Sequence, residues 1–343
     1  MRVVRRCSHF ARRCFGAKSL KKDDLSTILC RQIRSAGPIS VADYMKIAMH
    51  HPVYGYYNSS SVLGPDGDFI TSPEISQIFG EALCKFPTGS SLFRHLHFVE
   101  RSDRLREIQE SVIFPTLKTY CIKPEFSWHS SLDEVPGGFD LGYAICNVNS
   151  ELMMTGRKSF TIAASTYLPL AGNLSGRNCV EVCPEAGAIV QKLASRIATD
   201  GGSALISDYG HLGECGDTLR AFKDHKLHDP LKDPGQADIT ADVDFAFLRR
   251  SIESTKEPVI CHGPVSQAYF LVHMGILLRL KVLVEKTELE KDKKRLIMST
   301  EMLIGSNQMG KRFKFMALTT GRSKKEKEHI PGGFYPTWDT DKA

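Results

Sequence analysis

The chain has 343 residues, enough for two domains or one large one. Its 42% hydrophobic and 24% charged side chains exclude wholesale disorder. The net charge of +6 is uneven, because residues 1–22 hold Arg2, Arg5, Arg6, Arg12, Arg13, Lys18, Lys21 and Lys22 and no acid. Without that stretch 37 basic side chains face 39 acidic ones, a net of −2, which excludes a general binder of nucleic acid through clustered Lys and Arg.

Taken in order, residues 1–22 are Arg-rich and acid-free and lack the apolar run of a secretory signal, which predicts a mitochondrial transit peptide. Ten cysteines fit a reducing matrix. Cys179, Cys183 and Cys215 match no common zinc spacing. Asp24 to Ser35 carries Leu25, Ile28, Leu29 and Ile33 at helical spacing, and Gly37-Pro38 stops it. Ser40-Val-Ala-Asp43 is a capping signal for a helix to about His50. An aromatic turn follows at Tyr54, Tyr56 and Tyr57. Ser72-Pro73 then opens a helix to about Cys84, with Ser as cap and Pro in the first turn.

His95 to Glu100 reads as a strand ending in an acid, Ser102 to Gln109 as a helix, and Phe139 to Cys146 as a second strand. Pro184 to Thr199 is helical. Gly201-Gly202 ends it, and Ser203 to Ser207 is a buried-strand pattern running into Asp208-Tyr209-Gly210. Helix, glycine turn, apolar strand and polar strand end together form the repeating unit of a parallel α/β sheet. Further helices are expected over Asp242 to Ser254 and through 267–304, then a strand Lys311 to Leu318 and a loose tail from Gly321. The most apolar stretch, Phe270 to Val284, is interrupted by His273, Arg279 and Lys281, so no membrane insertion is expected.

Ligands of open parallel sheets bind outside the carboxyl ends of the strands. Glu100 and Asp208 close the two clearest strands. A carboxylate so placed can accept hydrogen bonds from a ribose, or simply meet solvent or cap a turn. Gly67 to Glu74 gathers two hydroxyls, Thr71 and Ser72, with Asp68, Glu74 and a helix N-terminus, although a capped helix explains much of it. Asp238, Asp242 and Asp244 are three carboxylates better explained by helix entry than by a metal, since their spacing is not that of a calcium loop.

These blocks carry a resemblance. Gly67-Asp-Phe-Ile-Thr-Ser-Pro-Glu-Ile-Ser-Gln-Ile-Phe-Gly-Glu81, with Gly37 to Met45 before it, resembles the signature of the MidA-like family of mitochondrial protein arginine methyltransferases, which act in complex I assembly. Val180 to Gly187, Ser207 to His211, and Asp224 to Asp229 leading to Ala237 to Phe245 match as well. The resemblance covers roughly 28–85 and 177–318. It implies an α/β, class I methyltransferase (Rossmann-like) fold, with a mostly parallel sheet, an N-terminal helical extension and a C-terminal helical insertion. The expected organisation is a transit peptide at 1–22, a helical, substrate-facing segment at 23–85, the α/β domain at 86–320 with its helical insertion at 217–304, and a flexible tail at 321–343.

By the same resemblance the cofactor is S-adenosylmethionine and the location the mitochondrial matrix. The product is symmetric dimethylarginine on a core subunit of complex I. Glu100 and Asp208 are the expected cofactor-binding residues, and Thr71, Ser72, Glu74 and Tyr209 the expected catalytic ones. No metal and no nucleic-acid partner is implied.

The departure is internal. The family carries a central strand and an acidic, glycine-rich loop between the Ser-Pro-Glu helix and the Glu100 strand, and here only 14 residues join Glu81 to Leu96. A second block expected after Tyr143-Ala144 is also missing. The alternative reading is therefore a catalytically inactive family member that acts as a binding chaperone in complex I assembly. Either coding segments are absent from this sequence or the chain is such a remnant, and as it stands it is expected to bind S-adenosylmethionine poorly or not at all.

Overall fold

The computed structural model describes residues 24–37, 39–58, 72–83, 95–100, 103, 105–107, 109–111, 125–135, 153–154, 166–172, 180–324 and 328–335. The transit segment, the Phe139 to Cys146 strand and the shortened linker before His95 lie outside them. The chain divides into two units, 1–39 and 40–343.

The first unit contributes helix α1 (Leu25–Ala36), whose Asp24 carboxylate accepts from the Thr27 N–H at 2.8 Å. Gly37 closes it at φ 90°, which a side chain rarely adopts.

In the second unit, α2 (Val41–His50) is capped by Ser40, which accepts from the Asp43 N–H and donates to the Asp43 carboxylate. Ala42, Met45, Ala48 and Met49 form its buried stripe. A 3₁₀ turn follows at Tyr56–Asn58. The single helix expected from Ser72 is two pieces, α3 (Ser72–Ile75) and α4 (Gln77–Leu83). The Ser76 hydroxyl takes the Ile78 N–H at 3.3 Å, a local bond that competes with the helical ladder and restarts it.

Strand β1 (His95–Val99) pairs in parallel with β2 (Glu125–His129). Between them Asp103, Leu105–Glu107 and Gln109–Ser111 are helical. The short strands β3 (Met153–Met154) and β4 (Glu181–Val182) pair antiparallel. Helix α5 (Pro184–Asp200) starts at Cys183, whose thiol accepts from Ala186. Its Arg196 holds the carbonyls of Leu132 and Val135 just after β2.

Strand β5 (Ser203–His211) runs four residues beyond its expected end. A small antiparallel sheet follows, β6 (Arg220–Lys223), β7 (Lys226–His228) and β8 (Asp238–Thr240), in the order β7-β6-β8. Then come β9 (Val243–Asp244), α6 (Phe245–Glu253), β10 (Val259–Ser266), α7 (Gln267–His273), α8 (Ile276–Lys286), α9 (Glu290–Ile304), α10 (Met309–Arg312) and β11 (Phe313–Thr320). The insertion expected to be helical over 217–304 is therefore mixed. Its helices are α6 and those that follow Ser266, while the Asp/His/Lys-rich 220–240 lacks an apolar helical stripe and pairs as hairpins instead.

The main described sheet runs β10-β11-β5-β9. β11 lies antiparallel between β10 and β5, and β9 pairs in parallel with the end of β5. β11 is buried on both faces. Met316 and Leu318 pack with Val190, Ala194, Ile197, Phe245 and Leu248 of α5 and α6. Phe315 and Ala317 pack on the other side with Ile78, Phe79, Phe270 and Leu303. Each such large side chain contributes about 1.5–3 kcal/mol by leaving water. The tail expected to be loose from Gly321 is in part packed, because Phe334 is buried against Phe270. Gly333 makes this fit possible, since any side chain there would strike the Phe270 ring at 2.4 Å.

No single helix among the described residues is long and apolar enough to cross a membrane. The pair α7 and α8 is apolar enough together but is bent by 66°.

Candidate active site

The candidate site is built from the end of β1, the later part of β5 and the aromatic turn at Tyr56–Asn58. Glu100 continues the β1–β2 ladder by donating its N–H to the His129 carbonyl at 2.9 Å. Arg106 holds the Glu100 carbonyl at 2.7 Å and the Ser130 hydroxyl at 2.9 Å. The Glu100 carboxylate lies 3.4 Å from the Gln109 amide nitrogen, and Gln109 is itself oriented by the Trp128 indole N–H at 2.9 Å. Trp128 stacks on Phe98, ring centroids 5.1 Å apart. A carboxylate is thus presented at the carboxyl end of a parallel strand by a rigid aromatic and amide support.

Asp208 was expected to close its strand, but β5 runs on to His211, where β9 pairs with it, so Asp208 lies within the strand. One of its oxygens accepts from the Tyr209 N–H at 2.8 Å. The side chain is crowded but not sealed from solvent. Burial is the main cause that pushes its pKa up to about 7; Asp242 raises it further, while the Tyr209 N–H and Arg220 pull it down. The Tyr209 ring packs edge-on against Phe313 at 5.6 Å, and the Arg220 guanidinium sits 5.3 Å from its centre. Gly210 is required next. A side chain there would meet the Val243 carbonyl at 2.2 Å and the Phe245 ring at 3.0 Å, so β9 could not close on β5.

Tyr57, from the aromatic turn, lies within electrostatic reach of both Glu100 and Asp208. Burial raises its pKa most, followed by the charges of Asp238, Glu100 and Asp208. Tyr209 is raised by burial first and then by Asp208, Asp238 and Tyr57, with Arg220 opposing. Asp208 of β5 and Asp238 of β8 therefore act on both tyrosine hydroxyls, and Glu100, just after β1, acts on that of Tyr57.

A buried brace supports this cluster. Glu181, 8% exposed, accepts from the Thr218 N–H at 2.8 Å, the Thr218 hydroxyl at 2.5 Å and the Leu219 N–H at 3.1 Å. The Thr218 hydroxyl accepts from the Asp242 N–H, and Asp242 pairs with Arg220 at 2.6 Å. Arg220 also donates to the Thr218 carbonyl at 2.8 Å.

The expected site residues divide. Glu100, Asp208 and Tyr209 come together. Ser72 is buried instead, and its hydroxyl donates to Gln267, which reaches on to the Leu303 carbonyl. A buried hydroxyl must be paired, and this one is committed to the core between α7 and α9. Thr71 lies outside the described residues, and of Glu74 only the helical backbone is described. Asp244 caps α6 through the Phe247 N–H, the helix entry foreseen for its cluster, but Asp242 and Asp238 turn to Arg220 and Tyr57. Sequence reasoning missed Arg220 and Glu181, whereas Tyr57 belongs to the aromatic cluster at 54–57 that the sequence offered as a candidate pocket lining. The signal for Glu181 was available: an acid between Val180 and Val182 in a strand must be satisfied by the fold.

Comparison with known proteins resolves the family. A protein arginine methyltransferase NDUFAF7 of Danio rerio is 37% identical over 391 positions, covering 91% of this chain and 91% of that protein. The Homo sapiens and Drosophila melanogaster proteins are each 36% identical, with coverage of 84% and 82%, and of 87% and 85%. The chain belongs to the NDUFAF7 family of protein arginine methyltransferases. Residues 143–265 also match a family model described as "Putative S-adenosyl-L-methionine-dependent methyltransferase". A crystal structure from Burkholderia thailandensis bound to S-adenosyl-homocysteine aligns with a TM-score of 0.67 at 21% identity, over 87% of this chain and 92% of that one. The class I methyltransferase fold is thereby established. In the alignment with the zebrafish NDUFAF7 protein, 91% of 343 residues, about 312, spread over 391 positions. About 79 positions of the alignment therefore face gaps in this chain.

The NDUFAF7 family's cofactor can be tested against the residues present. Glu100 offers acceptor-only chemistry at a parallel strand end, held from behind by Gln109, and this suits a ribose diol. The residues that would approach the methionine end, 84–94, lie outside the described set.

Proposed function

We propose that this chain methylates arginine side chains of a protein, using S-adenosylmethionine, inside the mitochondrion. The observation that carries the reading is the Glu100 carboxylate presented at the end of a parallel strand, with Gln109 and Trp128 behind it, in a chain of this family. Its relatives are named as mitochondrial arginine methyltransferases. The cofactor supplies an electrophilic sulfonium methyl. Glu100 holds the ribose hydroxyls. Asp208 and Asp238 orient the cationic guanidinium, which stays protonated in solution and must lose a proton when nitrogen forms its new bond. Asp208, with its pKa near 7, is suited to receive that proton. Alignment of the two reacting atoms accounts for most of what the protein has to provide.

The finer reading is symmetric dimethylation of a core subunit of complex I in the matrix, reached by import on residues 1–22. The expected result of incubating the full chain with S-adenosylmethionine and purified complex I core subunits is symmetric dimethylarginine by mass spectrometry. Monomethyl or asymmetric product alone would overturn the finer claim. A reporter fused to residues 1–40 is expected in the matrix, and cytosolic retention would overturn the address.

The gapped positions favour one rival: a chain that retains the partner but not the chemistry. That rival predicts capture of the same subunit with no transfer of methyl groups from labelled cofactor.

A further inference from the structure

The small sheet β7-β6-β8 has two unlike faces. Ala221 and Ile239 are buried, and the Ile239 N–H contacts the Met49 sulfur of α2, so one face is sealed. Directly paired residues of antiparallel strands project to the same side. Phe222 is opposite Leu227 on one neighbour and opposite Asp238 on the other, so these three share the second face. Arg220 lies two residues from Phe222 on that face, its guanidinium 5.9 Å from the Phe222 ring.

A graded row results. At its inner end Asp238 acts on half-buried Tyr57, and Arg220 covers Tyr209. Phe222 is half-buried in the middle, and Leu227 is 74% exposed at the outer end. The hairpin carrying Leu227 is pinned. The Tyr44 hydroxyl holds the Pro230 carbonyl at 2.7 Å, and Asp233 pairs with His228 at 3.3 Å and Lys223 at 3.5 Å. An apolar side chain held out in water beside an acidic site calls for an explanation that scattered surface leucines do not.

We propose that this face is the docking track for the substrate polypeptide, with the target arginine reaching the Asp238 end and an apolar flanking residue packing on Phe222 and Leu227. The proposal rests on the methyltransferase reading for the identity of the occupant. Two features argue for that occupant over others. The track is continuous with the active site, sharing Asp238 and Arg220 with it, and with Arg220 neutralised by Asp242 the Asp238 carboxylate at its inner end complements a guanidinium. Two strand spacings separate Leu227 from Asp238, about 10 Å, which an extended chain covers in about three residues.

The test uses the full chain and fluorescent 13-residue peptides bearing a single arginine. One pair has leucine three positions before or after the arginine, and a matched pair has serine there. Anisotropy titration is expected to give about tenfold tighter binding of a leucine peptide over its serine match, the scale of one buried leucine. Leu227→Ser is expected to bring that ratio close to one while leaving serine-peptide affinity and the melting temperature unchanged. Equal affinities in the parent, or a ratio that survives in Leu227→Ser, overturn the proposal. Titration with S-adenosyl-homocysteine in parallel separates the two readings. A preserved leucine ratio without cofactor binding keeps the track and removes the methyltransferase reading. Cofactor binding and methyl transfer without a leucine ratio remove the track alone.

Discussion

The two flanks of the α/β domain are held in different ways. On the C-terminal flank, β11 has ladder partners on both edges and buried side chains on both faces, from Phe315 to Leu318. On the Glu100 flank, β1 and β2 form a described pair whose side chains at 97–99 and 126–129 are all half-buried. That pair is tied to α5 by a small cluster of Leu132, Val135 and Leu193 with Val99 and Ile189, and by the two bonds of Arg196. The C-terminal flank stores stability, while the Glu100 flank positions a ligand group on modest packing. Substitutions should therefore separate folding from binding according to flank.

Phe315→Ala is expected to show the largest effect, because Phe315 is fully buried and stacks on Phe270 at 4.2 Å. The loss should be about 3–5 kcal/mol, read as a fall in denaturant midpoint. A loss under 1 kcal/mol would place the core elsewhere. Gly210→Ala should cost about 1–3 kcal/mol by overpacking against the Val243 carbonyl, measured in the same way.

The Glu100 flank should respond in binding rather than in folding. Glu100→Gln keeps the size but loses the charge and half the acceptor capacity, so cofactor affinity should fall about tenfold or more, with the melting temperature nearly unchanged. A large drop in melting temperature would make Glu100 structural and merge the two flanks.

Asp208 sharpens the comparison through pH. Its carboxyl is raised to about 7, mainly by burial. A raised carboxylate favours the folded state most at low pH, and that contribution is lost as pH rises through about 7. Asp208→Asn should therefore gain stability relative to the parent between pH 5 and pH 8. Its methyl transfer should lose the rise that the parent shows through pH 7. A constant stability difference across that range would show that Asp208 keeps an ordinary pKa. The smallest effect is expected from Asp133→Asn. The residue pairs with Lys192 at 2.8 Å, but both side chains are more than half exposed, and such pairs contribute little.

The local signals in the sequence were strong where one residue type dictates one geometry. Asp24 and Ser40 cap their helices, and Gly201 follows α5 at φ 88°. The strand that ends at Glu100 was legible, and the structure places it there. A strand ending in an acid commonly just meets solvent, so the role of Glu100 came from the resemblance and not from the pattern. Arg220 and Asp242 were not legible, because their pairing depends on a loop pinned by Glu181 from another strand 37 residues away. Strands β6 to β8 were missed since short polar hairpins carry no apolar alternation. Ser72 misled for the opposite reason: its capping motif is local and real, but its burial against Gln267 is set by packing 195 residues away.

The central claim is that the carboxylate of Glu100 grips the cofactor. Calorimetric titration of S-adenosylmethionine into the full chain and into Glu100→Gln tests it most directly. The account predicts weak binding by the parent, as its shortened loop implies, and binding at least tenfold weaker by the variant. Equal, measurable affinities would contradict it.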